Sequence, residues 1–198
     1  MVKLRYQGPD GDATLNLILR LERQDRFSLQ GNDQLGRSWF RLAVEETRAL
    51  FLDLRAKTYC RFDESIEIEA VPLGPLPFDQ LPALLLGQLP IQPVDHARID
   101  GEHWRLLDSA GRAWTADAPA GRLERWTLWR AGEPEVWWHR DAALSYLSAR
   151  SDGLQLRWRT PGGQPLTQSP ASLDVPEGFV ASEDCGGSPE PPRDPSRK

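Results

Sequence analysis

The stretch that decides the fold is PLGPLPFDQLPALLLGQLPIQP, residues 72–93. It is the one clear helix candidate in the chain, because Asp79 suits an N-cap, Pro82 is tolerated in a first turn, and Leu81, Leu84, Leu85 and, marginally, Leu86 follow at helical spacing. Prolines bracket it on both sides. A helix of about two turns is marginal alone and must bury its leucine face against something larger. The flanking sequence offers only sheet, so the segment reads either as a core helix between two strand blocks or as a plug over the mouth of an open β structure.

Upstream, Ala13 to Arg23 places Leu15, Leu17, Leu19 and Leu21 on one face and Asn16, Arg20 and Glu22 on the other, with Ile18 alone breaking the pattern. Phe27 and Leu29 continue the apolar face beyond Gln24-Asp25. After the turn Asn32 to Gly36, Phe40, Leu42 and Val44 alternate with Trp39, Arg41 and Ala43. Leu50, Leu52 and Leu54, then Thr58 to Phe62 and Ile66 to Ile68, complete a meander of about six strands. Downstream the same grammar returns. Trp104 and Leu106 lead into the turn Asp108 to Gly111 and come back through Trp114. Trp126 and Leu128 pair across Ala131 to Pro134 with Val136 and Trp138. Ala142 to Arg150 also fits a helical stripe, but its place between hairpins favours a strand. Leu154, Leu156 and Trp158 alternate cleanly, and Leu173 to Val175 reads as a last short strand. The expected body is therefore mainly β, a curved antiparallel sheet with one short helical plug, forming one domain over residues 1–180. Residues 181–198, ASEDCGGSPEPPRDPSRK, are too polar and proline-rich to offset ordering entropy and are expected as a disordered tail.

Composition narrows the function. The 198 residues suit one domain with a sizeable core, at 39% apolar and 27% charged. No apolar run reaches the roughly 20 residues of a membrane-spanning helix, and residues 1–3 do not read as a signal peptide, so an export signal would lie upstream. A formal charge of −5 with scattered basic residues gives no stripe to follow a phosphate backbone, so nucleic acid is not expected as a partner. Arg supplies 21 of the 24 basic residues and Trp appears eight times, which suits wide, partly wetted sheet faces. Cys60 in a strand and Cys185 in the tail suggest neither a metal framework nor a disulfide.

Catalysis is not expected. His96, His103 and His139 lack metal-ligand spacing, and Asp10, Asp12, Asp53, Asp100 and Asp108 fall mostly at turns, where Asp is favoured for backbone reasons. There is no Gly-x-Ser-x-Gly elbow, phosphate loop or dinucleotide fingerprint, and residues 8–12, GPDGD, read as a tight turn. No metal site and no cofactor are expected.

The order of elements, a strand meander, a helix, then a second meander, resembles the LolA and LolB lipoprotein carriers. Arg26-Phe27-Ser28-Leu29 with Leu35-Gly36 is similar to that family's Arg-Phe-x-Leu strand and following Leu-Gly turn. Leu50 to Asp53 with Thr58-Tyr59, residues 81–89 (LPALLLGQL), and Leu173 to Gly178 resemble its later landmarks. The resemblance touches most of residues 13–180. It implies an incomplete, half β-barrel with a helical plug and a concave apolar surface that takes acyl chains out of water. Burial of each CH2 is worth about 0.8 kcal/mol, so a chain of roughly ten methylenes gains several kcal/mol without any chemistry. The walls of that surface are expected to be Leu17, Leu19, Phe27, Leu29, Phe40, Leu42 and Leu52 from the first meander and Trp126, Leu128, Trp138 and Trp158 from the second, with Leu81, Leu84 and Leu85 on the plug. The implied role is a non-catalytic lipid- or lipoprotein-binding carrier or receptor at the periplasm or the periplasmic face of the outer membrane. The alternative is a filled half-barrel that serves as an interaction or scaffolding module for another envelope protein.

Overall fold

The structure, a computed structural model, describes residues 2–8, 11–67, 73, 75–142, 144–150, 154–159, 172–182 and 185. The first meander has six strands, β1 (Val2–Gly8), β2 (Gly11–Arg23), β3 (Arg26–Asn32), β4 (Ser38–Glu45), β5 (Arg48–Asp53) and β6 (Thr58–Asp63). A short hairpin of β7 (Ser65–Ile66) with β8 (Leu76–Pro77) and the helix α1 (Gln80–Leu85) follow. The second meander comprises β9 (Asp95–Asp100), β10 (His103–Leu107), β11 (Ala113–Asp117), β12 (Arg125–Arg130), β13 (Glu133–Asp141), β14 (Leu144–Ala149) and β15 (Gln155–Arg159). A last strand, β16 (Val180–Ala181), closes the described chain.

All but β7 and β8 join one sheet of 14 strands, in the order β16-β6-β5-β4-β3-β2-β1-β15-β14-β13-β12-β11-β10-β9. β1 sits in the middle, bonded to β2 on one side and β15 on the other, so it welds the two meanders into one surface. The ends do not meet. β6 and β9 are consecutive strands of the main sheet in sequence yet lie toward opposite ends of the order, so residues 64–94 must travel from one edge to the other. The described part of this segment lies across the hollow of the curl. Leu76, Phe78, Leu81, Leu84, Leu85 and Ile91 share a buried cluster with Phe27, Leu42, Trp114, Trp126, Trp138 and Trp158. This is the open half-barrel with a short helical plug that the sequence led us to expect.

Register fixes which residues face the hollow, because directly opposed residues in antiparallel strands share a face. One inward row runs Leu19, Leu29, Leu42, Phe51, Cys60, and another runs Ala116, Trp126, Trp138, Leu147, Leu156. The outward row Ile18, Gln30, Arg41, Leu52, Tyr59 accounts for the isoleucine that broke the alternation of β2.

Several expectations need correction. β1 and the wholly exposed β9 were not read as strands, β1 because its alternation is short and β9, DHARID, because an exposed edge needs no apolar face. Asp79 makes no side-chain cap: it is itself in helical conformation, and its carboxylate accepts a bond from Gln92 at 3.4 Å. Residues 173–175 are not a strand; the pairing strand is β16, parallel to β6. Cys60 and Cys185 form a disulfide, and Ser182 N–H bonds to the Tyr59 carbonyl, so the chain just past residue 180 is fastened along β6. Ile68, Pro9 and Asp10, and the tail beyond residue 185, lie outside the described residues.

Candidate functional site

The candidate site is the concave apolar surface with its plug. Leu17, Phe27, Leu29, Leu42, Trp126, Leu128, Trp138 and Trp158, all expected as walls, belong to a single buried cluster, and Leu19 and Phe40 are half-buried against it. Leu52 does not join them. It is buried, but on the outer face, where with Ala43, Leu50 and Arg41 it borders a pocket of about 310 Å³ under Ser172, Asp174 and Pro176. Leu52 was expected on the inner wall, and the pairings of Leu42 with Phe51 and of Arg41 with Leu52 put Phe51 there instead.

The second meander fills its half of the hollow with tryptophan. Trp114 and Trp126 lie with ring centroids 5.4 Å apart in a tilted contact, and Trp126 stacks on Trp138 at 6.4 Å. Both geometries are favourable for aromatic pairs. The indole N–H groups of Trp126 and Trp138, with residues 0% exposed, have no hydrogen-bond partner among the described residues, and neither does Nε of Arg140. Buried donors of this kind cost about 1–3 kcal/mol each unless something accepts from them.

The plug rests on these rings and is tied by its backbone. Leu81, Leu84 and Leu85 are buried in the shared cluster. Trp158 donates its indole N–H to the Leu85 carbonyl at 2.9 Å, and Arg140 donates to the Gly87 carbonyl at 3.1 Å. Arg140, Ser145 and Trp158 are directly opposed across β13, β14 and β15, so one row of the sheet grips the end of the helix. Gly87 is required there. Its φ is +69°, and a Cβ would stand 2.8 Å from Arg140 Nη2 and 2.9 Å from the Trp138 ring. At the other end Arg112 donates to the Leu73 carbonyl.

Arg112 is held by a turn that occurs twice. Asp33 Oδ1 accepts from the amides of Leu35 and Arg37, and its Oδ2 accepts from Arg37 Nε at 2.6 Å. Asp108 repeats this with the amides of Ala110 and Arg112 and with Arg112 Nε, also at 2.6 Å. The signature Asp-x-x-Gly-Arg-x-Trp was present in the sequence at 33–39 and 108–114 and was missed as a repeat. Burial alone would raise both carboxyls, but the bonds from the following arginine's amide and side chain outweigh it, joined by the Leu35 amide at Asp33 and by Trp114 at Asp108; both sit below the ordinary range.

The histidines stay apart from this site. His96 lies against Trp104, His139 stacks on Tyr146 at 4.8 Å, and His103 is raised by its hydrogen bond to Asp117 and that group's charge. No cluster of three or more metal-ligating side chains, and no helix long and apolar enough to cross a membrane, occurs among the described residues.

An open, curled antiparallel sheet with a crossing helical segment on its concave side defines the class. The fold is similar to that of a LolA superfamily protein from Nitrosomonas europaea, with a TM-score of 0.50 at 9% identity over 80% of each chain. A domain assigned to outer membrane lipoprotein sorting from Vibrio parahaemolyticus aligns with a TM-score of 0.49 at 8% identity, again over 80% of each chain. The chain thus has a LolA-like fold, an open, unclosed barrel. No family model matches the sequence, and no curated protein matches it.

Proposed function

We propose that the protein is a non-catalytic carrier or receptor for acyl chains, of lipids or lipoproteins, in the bacterial cell envelope. The observation that carries this reading is the plug itself. A six-residue helix, crossing between the edges of an open sheet, covers an apolar hollow and is fastened through its backbone carbonyls by Trp158 and Arg140. Such a cover can leave without unpairing a single strand of the large sheet. Displacing it exchanges leucine contacts for acyl contacts on the same surface, which is close to neutral per CH2. The unpaired indole N–H groups of Trp126 and Trp138 and Nε of Arg140 would meet the ester or amide oxygens of an acylated ligand. The Cys60–Cys185 disulfide supports an oxidising compartment, and hence the periplasm or the periplasmic face of the outer membrane.

A second reading is favoured by one observation: Trp114, Trp126 and Trp138 are fully buried, as in a filled core. On that reading the half-barrel is a scaffold for another envelope protein. A synthetic lipopeptide and its unacylated twin separate the two. A carrier retains the acylated form and releases the other, whereas equal retention of both, or of neither, would end the carrier reading.

A further inference from the structure

Across the outer face of the sheet, Arg5 of β1 stands directly opposite Arg157 of β15. Like charges placed this way destabilise a strand pair, and where the sheet repeats it, at Arg23 opposite Arg26, both arginines are paired with carboxylates, Arg23 with Asp25 and Arg26 with Glu22 and Glu45. Arg48 faces Glu45 and Asp63 in register, Arg26 reaches Glu22 and Glu45, and Arg130 and Arg150 pair with Glu135 and Glu133. Lys3 and Arg159 stand two residues further along the same two strand faces, and both are exposed, as is Arg5. None of these four has an ion-pair partner among the described residues. Asp141, two strands away in the row of Leu144 and Arg159, pairs with none of them. The row through Arg157 continues outward as Tyr146, His139 and Arg125, and the half-buried Trp137 lies on the same face opposite Ser148.

We propose that this outer face docks on an anionic phospholipid leaflet through Arg5, Arg157, Arg159 and Lys3. Two features of the patch select that occupant. Guanidinium forks match phosphate oxygens in pairs, and three of the four cations are arginine. Tyr146 and Trp137 beside them have the amphipathic rings that settle at headgroup level, which an isolated phosphate site does not need. The chain as a whole is acidic, at −5, so the patch is a local field and attraction to a negative surface orients the molecule. Because the concave surface lies on the other side of the same strands, docking leaves the plug free. The inference stands on the arginine pairing and not on the acyl-binding reading.

The test is co-sedimentation with phosphatidylcholine vesicles with and without phosphatidylglycerol, at low and high salt, comparing wild type with Arg5→Gln/Arg157→Gln. The wild type is expected to pellet with the anionic vesicles alone and to be released by salt. The double variant is expected to bind roughly 30-fold more weakly, while Arg48→Gln binds as wild type. Its melting temperature is expected to hold or rise, since a like-charge pair is removed. Should it fail to fold, Lys3→Gln and Arg159→Gln carry the test, each weakening binding by about fivefold. Its binding of a fluorescent fatty acid is expected to be unchanged, which keeps this proposal separable from the acyl-binding one. Failure of the wild type to pellet, equal binding by the double variant, selective displacement by inorganic phosphate at constant ionic strength, or binding of an acidic peptide in place of vesicles would each overturn the proposal.

Discussion

Replacing Trp158 by Phe and Arg140 by Leu keeps most of the volume beneath the plug while removing the two donors that hold the end of its helix, those to the Leu85 and Gly87 carbonyls at 2.9 and 3.1 Å. Each carbonyl left unsatisfied weakens the closed state by about 1–3 kcal/mol, or about 2–6 kcal/mol for the pair. If the plug opens as a unit, this loss falls on the closed-to-open equilibrium, and the open population rises by roughly 30-fold to 10⁴-fold. Global stability falls only until the open form dominates, because no sheet bond is involved. If the plug is inseparable from the core, the whole 2–6 kcal/mol appears as lost global stability, and a domain of this size then loses about 4–24 °C of melting temperature. Binding of a fluorescent fatty acid, measured beside thermal and urea unfolding, separates the two. The expected result is increased probe affinity with a melting temperature that falls by less than the upper part of that range. A large fall with no gain in binding would refute the idea of a detachable plug.

Three further outcomes follow from particular contacts. Gly87→Ala places a Cβ against Arg140 and Trp138 at positive φ, and should lower urea stability by about 1–3 kcal/mol while raising probe binding; a neutral effect would show that the helix end is loosely held. Cys60→Ser/Cys185→Ser opens a cross-link between residues 125 apart and should cost about 2–4 kcal/mol in non-reducing urea titrations, with no change upon adding reductant to the variant. Because the Asp108 carboxyl is held below its ordinary value, its contribution is complete above the unfolded pKa of about 3.9 and is lost as pH falls through the lower folded value. Asp108→Asn should therefore flatten the loss of stability below about pH 4 and loosen Arg112 from the Leu73 carbonyl; an unchanged acid limb would count against it.

The period of two in Leu15 to Leu21 and in Leu154 to Trp158 made the sheet legible, since a half-buried strand must alternate. The prolines around residues 72–93 located the helix α1 for the same kind of local reason. Pairing is not local. That β1 joins β15, and so sets β6 and β9 toward opposite ends of the sheet, is a relation between positions some 150 apart that no window contains. Leu52 was placed on the wrong face because both faces of β5 are apolar, Leu50 and Leu52 on one and Ala49 and Phe51 on the other, and only register tells them apart. The disulfide was missed for a related reason: the composition around Cys185 says nothing of β6, the strand whose Cys60 it joins. Of the site, the apolar walls were readable as residue types, but the grip of Arg140 and Trp158 on backbone carbonyls was not, because a carbonyl has no signature in sequence.

The claim that the concave surface takes an acyl chain is tested most directly by energy transfer from its own tryptophans. Trp114, Trp126, Trp138 and Trp158 line one half of the hollow, so a polyene fatty acid bound there lies within a few tens of ångströms of all four donors. The account predicts saturable quenching of tryptophan emission with sensitised probe emission, reversed by unlabelled palmitate and strengthened in the Trp158→Phe/Arg140→Leu variant. Probe that never saturates, or that is not displaced by palmitate in either protein, would contradict it.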